Sequence, residues 1–320
     1  MPKSLAELGI VLRMTTPERK PTDTTISYSQ FSMYQTCQHR WKLNYIDRIR
    51  IGSPSMTLCF GTALHETLQV YLYTLYRKSA KEADQMNLAE LLKERMVETY
   101  EIEIHTNNNG EHFSTPAEMQ EFYNDGVEIL THIQKHRTEY FKKQDWELLG
   151  VEMPIYMQAT DSNPNVVMNG FIDLVLRDVK NDEIHIFDIK TSTRGWTKYD
   201  KANKTKTSQL IIYKNYFAKQ YGYDVDKIHV HYFIVKRKLL EESMFPQRRI
   251  QEFSPASGKL TRKQVQTQID AFVSECFNPD GTRKADREYT AFADKGGKNC
   301  RWCEFADKFD LCPKEKRIKE

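Results

Sequence analysis

Two neighbouring segments of the sequence place a charged side chain where a buried strand needs an apolar one. In the segment EIHIFDIK, the two-residue period of a strand puts Asp188 and Lys190 on the same face as two isoleucines. In the segment GFIDLVLR, Asp173 stands alone among apolar residues. A turn at residues 180–182 follows the segment GFIDLVLR and folds the segment EIHIFDIK back beside it. We therefore expect Asp173 and Asp188 on adjacent strands of one hairpin.

This pair of acids is costly to bury unless something neutralises it. Two carboxylates that converge repel each other, and a cation between them removes that repulsion. Carboxylate oxygens are ligands that suit Mg²⁺ and Mn²⁺, and Lys190 could orient or deprotonate an attacking water and stabilise charge on a phosphate. A single Asp-x-Lys at a strand end more often forms a simple ion pair, so the prediction of a metal site depends on both strands.

The hydrophobic period changes from helical to strand-like near residue 145. Before that point we predict helices, which begin after the capping residue Ser27. After it, short alternating runs separated by Asp, Asn and Pro predict strands. The predicted helices cover 27–47 (one or two short helices), 55–78, 84–104, 115–144, 207–221 and 260–276, and the predicted strands cover 146–158, 166–177, 183–190, 227–236 and 243–253. We therefore expect an α/β fold in which helices surround a mixed sheet of four or five strands.

The composition narrows the setting in which the protein works. The 320 residues are 39% hydrophobic and 28% charged, which is typical of a globular protein. A formal net charge of +3 is too small to indicate a polyanionic partner by itself. Because we find neither an apolar run of membrane-spanning length nor the apolar core of a signal peptide, we expect a cytoplasmic protein with no membrane partner. In such a compartment cysteines bind metal, react or stay free more often than they pair.

The order of the motifs resembles the PD-(D/E)XK nucleases and, within them, the RecB-like branch. That branch has a Gly-x-x-x-His helix, a strand with a glutamate, a strand that ends in aspartate, an Asp-x-Lys strand and a Gln-x-x-x-Tyr helix. The matching residues in this sequence are Gly61, His65, Glu152, Asp173, Asp188, Lys190, Gln209 and Tyr213. The resemblance implies a restriction-endonuclease-like core, with a central mixed β-sheet flanked by helices, a helical N-terminal part and a C-terminal cysteine cluster. It also implies a metal-dependent DNA exonuclease that acts in recombination, repair or the processing of DNA ends.

The resemblance implies a role for each residue at the strand ends. His65, Asp173 and Asp188 would bind Mg²⁺ or Mn²⁺ together with the backbone carbonyl of Ile189. Lys190 would assist the attacking water. From the residues alone, a neutral imidazole that faces two carboxylates can serve as a further ligand. On an apolar helix face considered alone, however, an ordinary hydrogen-bonded core histidine is the favoured interpretation of His65.

The other motifs also have a structural alternative. Gln209 and Tyr213 are four residues apart and share a helix face; the resemblance places them in the catalytic set, where they position nucleic acid or the active-site lysine. Ordinary helix packing is the alternative for this pair. Gly61 would allow a close approach of the sheet or of a DNA backbone. For Glu152, a structural role is nearly as well supported as a functional one.

A basic loop follows Lys190 and is the candidate contact for DNA. Its charged residues alternate with Trp196 and Tyr199, whose rings could stack on bases. A charged loop is more often simply solvated, so its position directly after the Asp-x-Lys strand is what favours DNA. The short basic groups at 236–238 and 248–249 could extend the track. The candidate DNA-binding residues of the loop are Arg194, Lys198, Lys201, Lys204 and Lys206.

Three cysteines near residue 300 have the spacing of a metal site that lacks one ligand. Cys300, Cys303 and Cys312 supply three thiolates, whereas a tetrahedral metal or an iron–sulfur cluster needs four ligands. The residues leave four candidates open for the fourth ligand, namely Cys37, Cys59, Cys276 and a histidine.

The resemblance favours Cys37 as the fourth ligand. In a subset of RecB-like nucleases, which includes AddB-type and CRISPR-associated enzymes, one cysteine before the core joins three after it to bind a four-iron, four-sulfur (4Fe-4S) cluster. Cys37 resembles that first cysteine because it precedes the Gly-x-x-x-His helix. Zn²⁺ is the main alternative to the cluster. Cys59 and Cys276 lie on predicted helices and are expected to be buried free thiols.

These expectations divide the chain into four parts. They are a flexible arm (1–26), a helical region with Cys37 and the Gly-x-x-x-His helix (27–145), the nuclease core (146–277) and a cysteine segment that packs back on the N-terminal region (278–320). The expected partners are DNA with ends or single strands and a helicase or recombination protein. Two other functions stay open: a structure-specific or sequence-specific endonuclease on the same core, and a DNA-binding scaffold subunit with a zinc or iron–sulfur site.

Overall fold

The computed structural model describes residue 20 and residues 23–52, 54–240, 242–293 and 298–318, and the fold is given for these. The helices are α1 (Tyr28–Thr36), α2 (Gln38–Tyr45), α3 (Met56–Arg77), α4 (Ala80–Asp84), α5 (Leu88–Asn107), α6 (Pro116–Lys135), α7 (Arg137–Tyr140), α8 (Lys198–Ala202), α9 (Lys204–Tyr221), α10 (Lys259–Cys276) and α11 (Lys298–Arg301). The strands are β1 (Thr24–Ile26), β2 (Trp146–Thr160), β3 (Asn163–Asp178), β4 (Glu183–Ser192), β5 (Ile228–Lys236), β6 (Ile250–Phe253), β7 (Ala291–Phe292) and β8 (Arg317–Ile318). Within these residues, no helix has the length and apolar character that a membrane crossing needs.

Side-chain caps determine where the first helices begin. Ser27 accepts a hydrogen bond from the backbone N–H of Gln30, which confirms its predicted role as a cap. Ser55 caps α3 in the same way through Leu58. The apolar face of α3 is buried against α5, α6 and strands β2 and β4. This packing holds α3 rigidly against the sheet.

The central sheet is mixed and is built around β3. One edge of β3 pairs with β2 in an antiparallel ladder. The other edge is shared, because β1 pairs in parallel with residues 166–168 and β4 pairs antiparallel with residues 174–178. β5 runs parallel to β4, and β6 is antiparallel to β5. Two hydrophobic clusters, one around α9 and α10 and one around α3, α5 and α6, cover the sheet, and the predicted α/β class with a restriction-endonuclease-like sheet is confirmed.

The first strand is a difference from the sequence prediction. The flexible arm predicted for residues 1–26 lies mostly outside the described residues. Its last part, Thr24–Ile26, is a strand, and the side chain of Ile26 is fully buried. The sheet therefore has six strands among the described residues rather than four or five.

Two loops also differ from the prediction. The strand predicted for 243–253 is confined to Ile250–Phe253, because the residues before it form an exposed loop whose apolar side chains do not reach the core. The polar loop after β4 contains the short helix α8, which a reciprocal capping box between Thr197 and Asp200 starts.

Trp41 on α2 lies at the centre of an aromatic cluster that joins the first helices to α10. Its side chain is fully buried, and its ring centroid lies 5.4 Å from that of Phe272 and 5.5 Å from that of Tyr289. We expect Trp41→Ala to lower the free energy of unfolding by about 3–5 kcal/mol, measured by urea denaturation. Tyr199→Ala removes an exposed ring and should change it by less than about 0.5 kcal/mol. An equal loss in both variants would contradict this description of the core.

Candidate active site

The hairpin of β3 and β4 opens at the two acids. The antiparallel ladder ends at the pair formed by Leu174 and Phe187, so Asp173 and Asp188 occupy the next position on each strand. The backbone N–H of Ile189 donates a hydrogen bond of 2.6 Å to the Asp173 carboxylate. A side chain thus takes the place of a backbone acceptor, and the strands separate at this point.

Helix α3 brings His65 to the same point. The Nε2 atom of His65 lies 3.0 Å from Asp173 Oδ2. This approach depends on Gly61, one turn earlier on α3, because a Cβ atom there would lie only 3.2 Å from Thr191 Oγ1 on β4. Of the two reasons that the sequence allows for this glycine, the geometry supports the close approach of the sheet.

Strand β2 adds Glu152 to the site. Its Oε1 atom lies 3.8 Å from His65 Nδ1, and His65, Glu152 and Asp173 offer ligand atoms that all lie within 4.8 Å of one another. Glu152 has a φ of 48°, in the left-handed region that residues other than glycine seldom adopt and that is concentrated at functional sites. The structure therefore places Glu152 with the candidate metal ligands.

Gln69 is a residue of the site that the sequence analysis missed. It follows His65 by one turn of α3 and is almost fully buried. Its Nε2 group donates a hydrogen bond to Glu152 Oε1 and a second one, at 3.4 Å, to the backbone carbonyl of Asp173. The available signal was a polar side chain four residues after the histidine, one turn along the same helix.

Asp188 is the most deeply buried acid of the site. Its side chain has no exposed surface, and the Lys190 Nζ atom lies 2.8 Å from its Oδ2. The same ammonium group donates a hydrogen bond of 3.1 Å to Oδ1. The contact with Oδ2 is an ion-pair distance without hydrogen-bond alignment, so this oxygen has no aligned donor among the described residues. Lys190 keeps about a third of its side chain exposed, at 35%, and therefore links a buried carboxylate to the solvent side.

Burial and mutual repulsion shift the pKa values of these groups. Burial, reinforced by Asp173, raises the pKa of Asp188 to about 7 against the opposing effect of Lys190. Burial alone would lower the pKa of His65, but Asp173 and the other two carboxylates raise it to about 9. Burial would raise the pKa of Asp173, yet its contacts with His65 hold it below the usual value. Burial also raises the pKa of Glu152.

The donor set fits a hard divalent cation. His65, Glu152 and Asp173 converge within a few ångströms and are partly exposed, so an ion can reach them. The carboxylates around His65 raise its pKa because they favour positive charge at this point, and a cation would replace that proton. Asp188 lies outside the compact group of three and faces Lys190 instead. The residues can therefore hold Mg²⁺ or Mn²⁺. The geometry makes Glu152 a candidate metal ligand, a role that the sequence analysis left open.

Gln209 and Tyr213 pair with each other on α9. Both side chains are buried, and Gln209 Nε2 donates a hydrogen bond of 3.1 Å to the Tyr213 hydroxyl. The Tyr213 ring packs on Gly170 of β3, where a Cβ atom would lie 3.4 Å from the ring. Burial, reinforced by the charge of Asp188, raises the pKa of Tyr213. The pair therefore packs from α9 against β3, the strand that carries Asp173.

The basic loop differs in part from its prediction. Trp196 is partly buried against the core, with its ring centroid 4.6 Å from that of Tyr232 and its backbone N–H donating to Gln251, so the part of the ring in this contact is not free to stack on a base. Tyr199 is exposed and stays available. Lys206 forms an ion pair of 2.6 Å with Asp200. The loop residues whose side chains are exposed or partly exposed include Arg194, Lys198, Lys201 and Lys204.

The basic groups at 236–238 and 248–249 extend this track less than the sequence indicates. Arg237 and Lys238 contact the carboxylate of Asp125 at 2.7 Å and 2.8 Å. Arg249 pairs with Glu128 at 3.1 Å. Acidic residues of α6 therefore neutralise these side chains, which anchor the β5–β6 region to that helix.

The four cysteines predicted to share a site line one small cavity. It is lined by Cys37, Cys300, Cys303 and Cys312, and all four are free thiols. The backbone N–H of Phe292 is directed at Cys37 Sγ, at 3.3 Å. Two further cysteines are buried in the two hydrophobic clusters and do not line this cavity, as expected; they are Cys59 and Cys276.

Polar contacts hold the cysteine segment against the first two helices. His39 Nε2 lies 2.8 Å from the backbone carbonyl of Leu311, and Asn299 Nδ2 donates to the carbonyl of Thr36 at 3.1 Å. The Arg40 guanidinium pairs with Glu304 at 2.6 Å. The cysteine segment therefore packs back on the N-terminal helices through contacts of its own.

The mixed sheet separates at two acids, with a histidine and a lysine at the separation. A family model for the PD-(D/E)XK nuclease superfamily matches residues 25–308. The chain belongs to this superfamily, and the match covers the sheet, the acids and Lys190. A search of curated proteins gave no significant match.

Proposed function

We propose that the protein is a metal-dependent DNA exonuclease of the RecB-like type, which acts in recombination, repair or the processing of DNA ends. The observation that carries the proposal is the 3.0 Å contact of His65 with Asp173 beside the 2.8 Å pair of Asp188 and Lys190, where β3 and β4 separate. Membership of the nuclease superfamily supports hydrolysis of nucleic acid. The exonuclease mode, the RecB-like branch and a helicase or recombination partner are proposed from the order of the motifs.

The proposed metal ligands are His65, Asp173, Asp188 and the Ile189 carbonyl, and the geometry adds Glu152. When bound, Mg²⁺ or Mn²⁺ supplies a polarised phosphoryl oxygen and a bound water of lowered pKa. His65, Glu152 and Asp173 already converge before any ion binds, whereas Asp188 would have to turn from Lys190 towards the ion.

Lys190 acts as a hydrogen-bond donor in this proposal. Burial would lower its pKa, but Asp188 and Asp173 outweigh that effect and raise it. The ammonium therefore keeps its proton at Nζ, where it can orient a water or stabilise charge on a phosphate oxygen. Gln69 positions Glu152, and Gln209 with Tyr213 supports the strand that carries Asp173.

Cys37, Cys300, Cys303 and Cys312 are the proposed ligands of a 4Fe-4S cluster, with Zn²⁺ as the alternative. The order of the cysteines in the sequence, one before the nuclease core and three after it, supports the cluster. Anaerobically purified protein should then contain iron and absorb broadly in the visible range; a colourless protein that contains zinc would favour the alternative.

Cleavage of linear and circular DNA tests the proposed function. With Mn²⁺, the protein should release nucleotides from end-labelled linear DNA and leave covalently closed circles intact. A chelator should stop the reaction. Cutting of closed circles would establish an endonuclease on the same core, and metal-dependent binding without hydrolysis would contradict the proposal.

The exposed lysines of the basic loop give a prediction for DNA affinity. Replacing Lys198 and Lys204 by alanine should weaken binding and reduce the slope of log K against log salt by about 1.4–1.8, because each phosphate contact contributes about 0.7–0.9. Fluorescence anisotropy at several salt concentrations measures this slope. The matched control replaces Lys81 and Lys93, which are exposed on α4 and α5, and an equal change there would show that the loop has no special role.

A further inference from the structure

A cluster of histidines and acids lies at the opposite end of β4 from the candidate active site. Glu183 begins β4, and His185 follows it on the same strand. His229 on β5 is the parallel partner of His185 in the ladder. Because Glu183 precedes Asp188 by five residues, about 16 Å of strand separates this cluster from the nuclease acids.

The imidazole nitrogens of the cluster face one carboxylate. His229 Nε2 lies 3.4 Å from Glu183 Oε1, and His185 Nε2 lies 3.9 Å from Glu183 Oε2. Both nitrogen atoms are buried and have no hydrogen-bond partner among the described residues. One oxygen of Asp178, one of Glu183 and a nitrogen of His185 lie within 4.8 Å of one another. His229 lies beside this group of three and contacts the other oxygen of Glu183 than His185 does.

The basic residues of this turn do not neutralise Glu183. Lys227 and Arg177 both pair with Asp182, at 2.8 Å and 2.7 Å. In the described part of the chain, the ion-pair contacts of Glu183 are with the two imidazoles alone. No lysine or arginine of the described residues therefore forms an ion pair with Glu183.

A third histidine, His231, fixes the orientation of His185. The Nδ1 atom of His185 lies 3.0 Å from His231 Nε2, and His231 Nδ1 lies 2.9 Å from Ser254 Oγ. If His185 donates its Nδ1 proton along this chain, its Nε2 atom presents a free lone pair towards Glu183. Metal-binding histidines are commonly held in this way by a second hydrogen-bonding group.

We propose that Glu183, His185 and His229, with Asp178, form a second metal site that binds a divalent transition metal of the zinc and cobalt type. Two imidazole nitrogens and two carboxylates suit these metals better than Mg²⁺. Nitrogen and oxygen ligands about 2.0–2.2 Å from one tetrahedral ion lie about 3.3–3.5 Å apart, close to the 3.4 Å already present between His229 and Glu183. The ion would join β4, β5 and the β3–β4 turn.

Co²⁺ binding to the full-length protein tests this site without depending on nuclease activity. In protein that keeps its cysteine-bound metal and is saturated with Mg²⁺ at the nuclease site, equilibrium dialysis and visible spectroscopy should show one Co²⁺ ion with nitrogen and oxygen ligands, whose spectrum lacks sulfur-to-cobalt charge transfer. Glu183→Gln and His229→Gln should each weaken its binding by at least about 100-fold. His231→Phe, which removes the supporting hydrogen bond, should weaken it by about 10–100-fold.

Two matched variants distinguish this site from other places where Co²⁺ binds. His136→Gln removes another histidine that pairs with a glutamate, Glu139, at 2.7 Å, and Asp188→Asn changes the nuclease site; both should retain the ion. Unchanged affinity in Glu183→Gln and His229→Gln would overturn the proposal, as would loss of the ion in Asp188→Asn alone. Glu183 is partly exposed, at 38%, so its substitution leaves the core intact and decides the result even where a histidine variant folds poorly.

Discussion

Asp188→Asn and Lys190→Met are each expected to reduce DNA cleavage by about 10²–10⁴-fold while the protein stays folded. Asp188 is the buried acid of the pair, and Lys190 holds its proton 2.8 Å away. Asparagine keeps the shape of Asp188 but has no charge. Burial disfavours the charged form of Asp188 and raises its pKa to about 7. The metal-free protein should therefore not lose thermal stability through this substitution.

The control for this prediction is a second aspartate–lysine pair in the same part of the sheet. Asp182 and Lys227 form an exposed ion pair of 2.8 Å, which solvent screens, so we expect it to contribute little to stability and to take no part in cleavage. Asp182→Asn and Lys227→Met should leave the rate unchanged. Initial rates on end-labelled DNA and circular dichroism provide the two measurements. Full activity of both Asp188→Asn and Lys190→Met would remove the assignment of this site.

The hairpin that carries the acids could be predicted because its evidence is local. A two-residue period and a turn at 180–182 are enough to place Asp173 beside Asp188, and the ladder of β3 and β4 has that register. His65 could be placed on its helix by the same reasoning. These features depend on residues that are close in sequence, so the sequence alone is enough to predict them.

Features that depend on distant contacts could not be predicted in the same way. The left-handed backbone of Glu152 and the hydrogen bond from Gln69 arise only when α3 lies across β2. The packing of Trp196 depends on Tyr232, a partner 36 positions away on β5. The first strand has three residues, too few for a periodic pattern, and it forms only because β3 offers a free edge.

Which basic side chains remain unpaired also depends on distant contacts and could not be predicted from the sequence. Arg237 and Lys238 form a basic group in sequence, but Asp125 on α6 neutralises both. The sequence shows how many basic residues a segment has, whereas the fold decides which of them remain unpaired. For this reason the loop at 198–204 is a better candidate for DNA contact than the group at 236–238.

Cys37→Ser is expected to cost as much metal and stability as Cys303→Ser. Cys37 and Cys300 are 263 positions apart (300 − 37), so a metal group that joins them closes a very long loop. In the chain-entropy description of cross-links, a loop of this length contributes about 5 kcal/mol by restricting the unfolded chain. Loss of the group should therefore lower the melting temperature by about 10 °C or more.

Cys59→Ser is the matched control for this comparison. Cys59 is buried away from the cavity, and its thiol lies 3.5 Å from the backbone carbonyl of Met96, where a serine hydroxyl can donate instead. This variant should keep its full metal content and lose only about 1 kcal/mol. Metal analysis and thermal unfolding of the three variants separate two cases. If Cys303→Ser alone lost metal, the site would be complete without the N-terminal helices, and the long loop would not be closed. Equal losses in Cys37→Ser and Cys303→Ser require that the metal group itself joins the junction of α1 and α2 to the cysteine segment, beyond what the hydrogen bonds of His39 and Asn299 achieve.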